Sequence, residues 1–202
     1  MRAWYRHVIG VTLCSVAFAA CSADGITETT GDLLSDQEVL EVFAALSTLG
    51  SDILPVAAVA APVDGPQLAP VPVDESFSES AACPNGGTVS ISGKVKGTVD
   101  NETFDADLDF DLTEDFSSCA TTTVSQLLVT FDGQPDIDIT GNMTLSGQNV
   151  SGALSYQGGF AWATDDGRSG VCGVDFDVSF STGTQSGSWS GQVCNRTVSL
   201  DS

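Results

Sequence analysis

One histidine, six cysteines and 27 carboxylates are the side chains with chemistry to offer in this 202-residue chain. The histidine, His7, stands in the first twenty residues, beside an apolar run. Beyond that run the chain cannot build a Ser-His-Asp or Cys-His centre, nor a His-ligated zinc or copper site. Gly187-Ser188-Trp189-Ser190-Gly191 has the glycine spacing of a nucleophile elbow, but Trp189 occupies the position a serine nucleophile needs. Neither a phosphate-cradling loop nor a dinucleotide fingerprint is present. A pair of carboxylates can hydrolyse a glycoside without histidine. In so acidic a chain some pair has the right separation by chance, and a small β domain offers a sugar chain little cleft. A carboxylate-based hydrolase is therefore the least favoured reading, and the expectation is a protein that is not an enzyme.

The most ordered acidic feature is the comb Asp105, Asp107, Asp109 and Asp111. On a strand these side chains share one face at intervals of about 7 Å. A calcium ion needs several oxygens at about 2.4 Å, so the comb alone cannot chelate one. Lys94 and Lys96, on the matching face of the preceding strand, are placed to relieve its repulsion. Asp165-Asp166-Gly167, with Asp175 near it, lacks the twelve-residue calcium-loop pattern and reads as a turn. No metal site and no cofactor are expected.

The N-terminus points to export. Arg2 and Arg6 precede the apolar run Val8 to Ala20, which is too short to cross a bilayer as a helix. Phe18-Ala19-Ala20-Cys21 resembles a bacterial lipobox, with Phe18 where leucine is usual. The resemblance implies cleavage before Cys21 and diacylation of that cysteine, a far firmer anchor than a single chain. Ser22, where an inner-membrane retention signal carries aspartate, implies the outer membrane. All 27 acidic residues follow position 20, opposed only by Lys94, Lys96, Arg168 and Arg196. Such a chain is repelled by nucleic acid and by anionic lipid headgroups.

Removing Cys14 with the signal and Cys21 to lipid leaves Cys83, Cys119, Cys172 and Cys194, an even number that reads as two disulfides in an exported domain. Three pairings are open, and the strands choose between them. From Thr88 onward apolar residues recur at every second position: Val89, Ile91, Val95; Phe104, Ala106, Leu108, Phe110, Leu112; Val174, Phe176, Val178, Phe180. These are half-buried strands separated by tight turns. A hairpin turning near Asn101 brings Cys83 and Cys119 together; one turning near Gly183 does so for Cys172 and Cys194. Folding about residues 132–135 sets Phe131 beside Ile137, and folding about 146–149 sets Leu145 beside Val150 and Met143 beside Gly152. Six glycines (Gly93, Gly97, Gly141, Gly152, Gly187 and Gly191) fall in the apolar register. They predict strong coiling of the sheet, or else a cavity for an apolar ligand.

Ahead of the strands, Ser35-Asp36-Gln37-Glu38 has the capping-box form. Val39, Leu40, Phe43, Leu46 and Leu49 follow at helical spacing. The expected organisation is a signal peptide at 1–20, a flexible tether at 21–34 and an amphipathic helix at 35–50. A Pro/Ala-rich linker at 51–82 and a disulfide-stapled β-domain at 83–202 complete it. The expected fold is all-β: an antiparallel meander of about eight strands, a curled sheet or small barrel, with one short N-terminal amphipathic helix.

The run Cys83-Pro84-Asn85-Gly86-Gly87-Thr88, the step Phe116-Ser117-Ser118-Cys119 and the later Met143-Thr144-Leu145-Ser146-Gly147 resemble a loose group of uncharacterised bacterial lipoproteins. That group has a C-P-x-G-G-T strand opening followed by Gly/Ser/Thr-rich hairpins, and it brings no activity or ligand with it. The functional expectation is a non-catalytic cell-envelope lipoprotein, membrane-bound through Cys21, with its soluble domain periplasmic or surface-exposed. The domain acts as a structural or interaction module for a protein partner. The alternative is a carrier of an apolar small molecule inside a small barrel.

Overall fold

The computed structural model describes residues 30–32, 34–51, 70–100, 102–103, 105–133 and 135–201. The expected signal, Cys21, Phe104 and residues 52–69 lie outside them. The period-two segments form one antiparallel sheet of eleven strands: β1 Thr30–Gly31, β2 Val71–Ala82, β3 Thr88–Asp100, β4 Asp105–Ser117, β5 Cys119–Thr122, β6 Leu128–Asp132, β7 Ile137–Ser146, β8 Asn149–Thr164, β9 Ser169–Ser181, β10 Ser186–Val193 and β11 Arg196–Asp201. The main path runs β2-β3-β4-β7-β8-β9-β10-β11, eight strands each beside its neighbour.

The count exceeds the expected eight because strands also form in segments read as tether and linker (β1 and β2) and because the long run from Asp105 is interrupted. Ser118, at φ 47°, separates β4 from β5, and the pairing slips by one residue there. Opposite it, residues 133–136 separate β6 from β7. The expected hairpin at 132–135 does not form: β6 pairs with β5 and β8, and β7 with β4 and β8. The Asp132 side chain instead accepts from Ser118 N–H at 2.8 Å, and Gly133 N–H donates to Phe116 O at 2.7 Å. The turn-forming residues thus serve a bulge in a continuing strand. The hairpin at 146–149 has the expected register, Leu145 opposite Val150 and Met143 opposite Gly152.

The sheet domain also starts earlier than expected. Val71–Ala82, read as linker, is a full strand on β3. Val71, Val73, Phe77 and Ala81 alternate inward there, and Pro72 is tolerated because β2 is an edge strand, with a side that needs no donor. Thr30–Gly31, read as flexible tether, pairs with Val171 and Gly170 of β9.

Register puts the apolar side chains of every main strand on one face, including the six glycines. At Gly97 (φ 150°) and Gly141 (φ 151°), a side chain would collide with the carbonyls of Asp107 and Ala153 on the neighbouring strands. Adjacent strands therefore approach at an angle that only glycine permits, and the sheet curls. It stays open: β2 and β11, the ends of the path, do not pair with each other.

Helix α1, Asp36–Ser51, covers the inner face. Its capping box closes both ways: Ser35 N–H donates to Glu38 Oε2 at 2.8 Å, and Glu38 N–H donates to Ser35 Oγ at 3.3 Å. Val39, Val42, Phe43 and Leu46 are buried; Leu40, expected in that set, is 46 % exposed. Counting three and four residues on from Val39 selects Val42 and Phe43, while Leu40 lies a further 100° round the helix. Phe43 packs edge-on against Phe176 (4.8 Å) and Trp189 (5.4 Å). Ser35→Ala is expected to cost about 1 kcal/mol, measured as a lowered urea midpoint at unchanged slope.

Candidate functional site

Both disulfides form as expected, Cys83–Cys119 and Cys172–Cys194, with Cα–Cα distances of 5.4 and 4.4 Å. They lie toward one end of the sheet, here called the near end. The turns at 83–87, 123–127, 165–168 and 194–195 are also there, because a meander sends alternate turns to the same end. The first turns of α1 are fixed to that end by polar contacts. Arg168 Nη2 donates to Glu38 Oε1 at 2.7 Å and its Nε to Asp166 Oδ2 at 2.9 Å. Ser125 N–H and Oγ both donate to Glu41 Oε2, and Arg196 pairs with Asp36 at 3.2 Å. The Arg168 contact holds Glu38 well below the usual carboxylate range, at about 2. Hydrogen bonds from Gln37 and then Ser125 do the same for Glu41.

The inner face carries one group that the strand pattern should have excluded. Glu114 of β4 sits between Leu112 and Phe116 in the apolar register and is 5 % exposed. Among the described residues its Oε1 has no hydrogen-bond partner. Burial pushes its pKa up to about 7. Tyr156, diagonally across β7, is raised to about 12, by burial first and by Glu114 second. Tyr156 stacks on Phe176 at 4.5 Å, and Phe176 lies parallel to Trp189 at 6.3 Å. The result is an aromatic wall that Phe43 meets edge-on. Reading the sequence missed Glu114, although its signal was present: it continues the even-numbered series 106, 108, 110, 112.

The outer face is mostly polar. Asp107, Asp109 and Asp111 are exposed there and Asp105 is half-buried, as their alternation requires. Lys94 stands directly opposite Asp111, and Lys96 opposite Asp109. Asp105 accepts from Gly147 N–H, which lowers its pKa, and Asp107 accepts from Thr144 Oγ1 at 2.9 Å. Between the strands lies a shallow depression of about 450 Å³, lined by Thr98, Asp107, Asp109, Asn142 and Thr144. Asp136 is raised by burial and by neighbouring Asp115. Asp166 of the 165–167 turn is held low by the Thr164 hydroxyl and Arg168. Among the described residues no group of three or more His, Cys, Asp and Glu is placed to hold a metal ion, and no helix is long and apolar enough to cross a membrane. Trp189 lies mid-strand in β10, away from the strand-to-helix turn that an elbow requires.

The fold and these surfaces define a disulfide-stapled, open antiparallel meander with one inner face covered by its own helix and one acidic, hydroxyl-rich outer face. Compared with protein-family models, with curated proteins and with solved structures, the chain matches none.

Proposed function

We propose that this chain is a non-catalytic lipoprotein of the cell envelope, anchored through Cys21, whose β-domain presents its outer sheet face to a protein partner. The observation that carries this reading is the division of the two faces. The inner one is spent on α1 and the aromatic wall, while the outer one keeps Asp107, Asp109 and Asp111 in water. A row of exposed carboxylates attracts a cationic partner over about a Debye length, so binding should weaken with salt. The export signal and the lipobox-like 18–21 support placement at a membrane, and Ser22 supports the outer one. The test has two parts. The N-terminal peptide of the mature protein should be an acylated Cys21, and Cys21→Ala should release the protein from the membrane fraction. A photo-crosslinker at Asn142 should capture a cell-envelope protein in low salt, and Asp107→Asn with Asp109→Asn should lower the yield several-fold. An unacylated mature terminus, or capture indifferent to those carboxylates, overturns the reading.

One observation favours a second reading, a carrier of an apolar ligand. Glu114 is a buried carboxyl beside an aromatic wall, and its unpaired oxygen is suited to a ligand's hydrogen-bond donor. Native mass spectrometry of the soluble domain separates the two. A clean protein mass supports the interaction module; a co-purifying lipid, lost in Glu114→Leu, supports the carrier.

A further inference from the structure

The described residues expose two large hydrophobic side chains, Val124 at 84 % and Leu40 at 46 %. They lie together. Val124 is at the tip of the β5–β6 hairpin, and the next residue, Ser125, is bonded through N–H and Oγ to Glu41, the residue after Leu40. Both are at the near end, where the chain also enters: Thr30 pairs with Val171, and Asp32 N–H donates to Ser169 O at 2.9 Å beside the 165–168 turn.

The position of a lipid on Cys21 is bounded by that entry point. Eight residues, 22–29, separate Cys21 from Thr30, about 30 Å of chain at full stretch. From Val171 down β9 to the far turn at Thr182 is roughly 36 Å. Fully extended, that chain falls short of the far turn, so a lipid on Cys21 stays nearer the near end of the domain.

We infer that the near end rests on the bilayer, with Val124 and Leu40 against a zwitterionic phospholipid surface and the outer sheet face projecting away from it. This rests on the anchoring through Cys21 proposed above. This end is acidic, with Asp32, Asp36, Glu38, Glu41, Asp165 and Asp166 around Arg168 and Arg196, which suits a zwitterionic surface rather than an anionic one. Arg168 and Arg196 are both here, and they pair with Glu38, Asp166 and Asp36. An exposed valine at a hairpin tip contributes little alone, but beside an acyl anchor it need only orient a protein that is already at the membrane.

The test uses the full acylated chain in phosphatidylcholine vesicles. An environment-sensitive fluorophore is placed on Val124→Cys, on Leu40→Cys, or on Gln148→Cys in the far β7–β8 turn. Vesicle flotation is measured first. The probes at 124 and 40 should shift to the blue and be quenched by shallow spin-labelled lipid roughly twofold or more beyond the probe at 148. Flotation with equal quenching at all three positions overturns this inference and leaves the anchor standing. Failure to float overturns the anchor and the inference with it.

Discussion

Glu114→Gln is expected to stabilise the protein by about 3 kcal/mol at pH 8 and by almost nothing near pH 4. The carboxyl titrates near 7 in the folded protein against an ordinary value of 4.5, and each unit of difference is worth about 1.4 kcal/mol. The sign follows from proton binding. Below pH 4.5 the group is protonated in both folded and unfolded chains, and its burial carries no charge penalty. As pH rises from 4.5 to 7 the unfolded chain releases the proton while the folded one holds it, so stability falls with pH across that window. Above 7 the whole cost is present. Glutamine has the same shape and no charge, so the difference between variant and parent should grow from pH 4.5 to 7 and then level off. Urea denaturation at pH 4, 5.5, 7 and 8.5 measures it; a difference that is constant with pH would contradict the assignment.

The parent's own profile should have a second limb. Glu38 and Glu41, both held at about 2, contribute stability that is present above their unfolded value and lost as pH falls toward 2. The protein should therefore be most stable in mild acid, near the unfolded carboxylate value. Comparing Glu114→Gln with the parent isolates the upper limb, because the near-end carboxylates contribute equally to both.

Much of this architecture is local and could be read from one strand at a time. The two-residue rhythm, the hairpin at 146–149 and the pairing of the cysteines all follow from side-chain alternation and a short turn. The helix start was equally plain, because a capping box needs only Ser35 and Glu38. What escaped was decided at long range. Asp132 to Pro135 has strong turn chemistry, yet β6 finds better partners in β5 and β8, and Asp132 and Gly133 serve a bulge opposite Ser118. The true hairpin tip around Val124 has neither glycine nor proline to mark it. Prolines hid β2, although its inward series of Val71, Val73, Phe77 and Ala81 keeps period two. Contacts between α1 and the near-end loops join residues 84 and 130 positions apart, and no local pattern encodes them. Glu114 is the opposite case: the register placed it correctly, and only its unsuitability for that place hid it.

Removing both cysteines of either disulfide by alanine substitution should cost about 3–4 kcal/mol, because each bridge closes a loop that the unfolded chain would otherwise explore. The loops span 36 and 22 residues, and chain entropy makes the longer bridge worth only about 0.4 kcal/mol more. The two losses should nevertheless look different locally. At Cys83 the turn stays fastened without the bond: Asn85 N–H donates to Ala120 O and Ala120 N–H to Gly86 O, at 2.9 and 2.8 Å. At Cys194 the N–H donates to Gly173 O at 2.9 Å, beside the Val193–Val174 pair that ends the β9–β10 ladder. Beyond it lies β11, which ends the sheet and pairs with β10 alone. Cys172→Ala with Cys194→Ala should therefore let β10 and β11 open below the global unfolding free energy. Their amide protons should exchange at least tenfold faster than those of β3 and β4, whereas Cys83→Ala with Cys119→Ala should speed exchange evenly. Hydrogen exchange read strand by strand decides it. Uniform acceleration in both variants would mean that the whole meander unfolds as one unit and that the C-terminal hairpin has no weakness of its own.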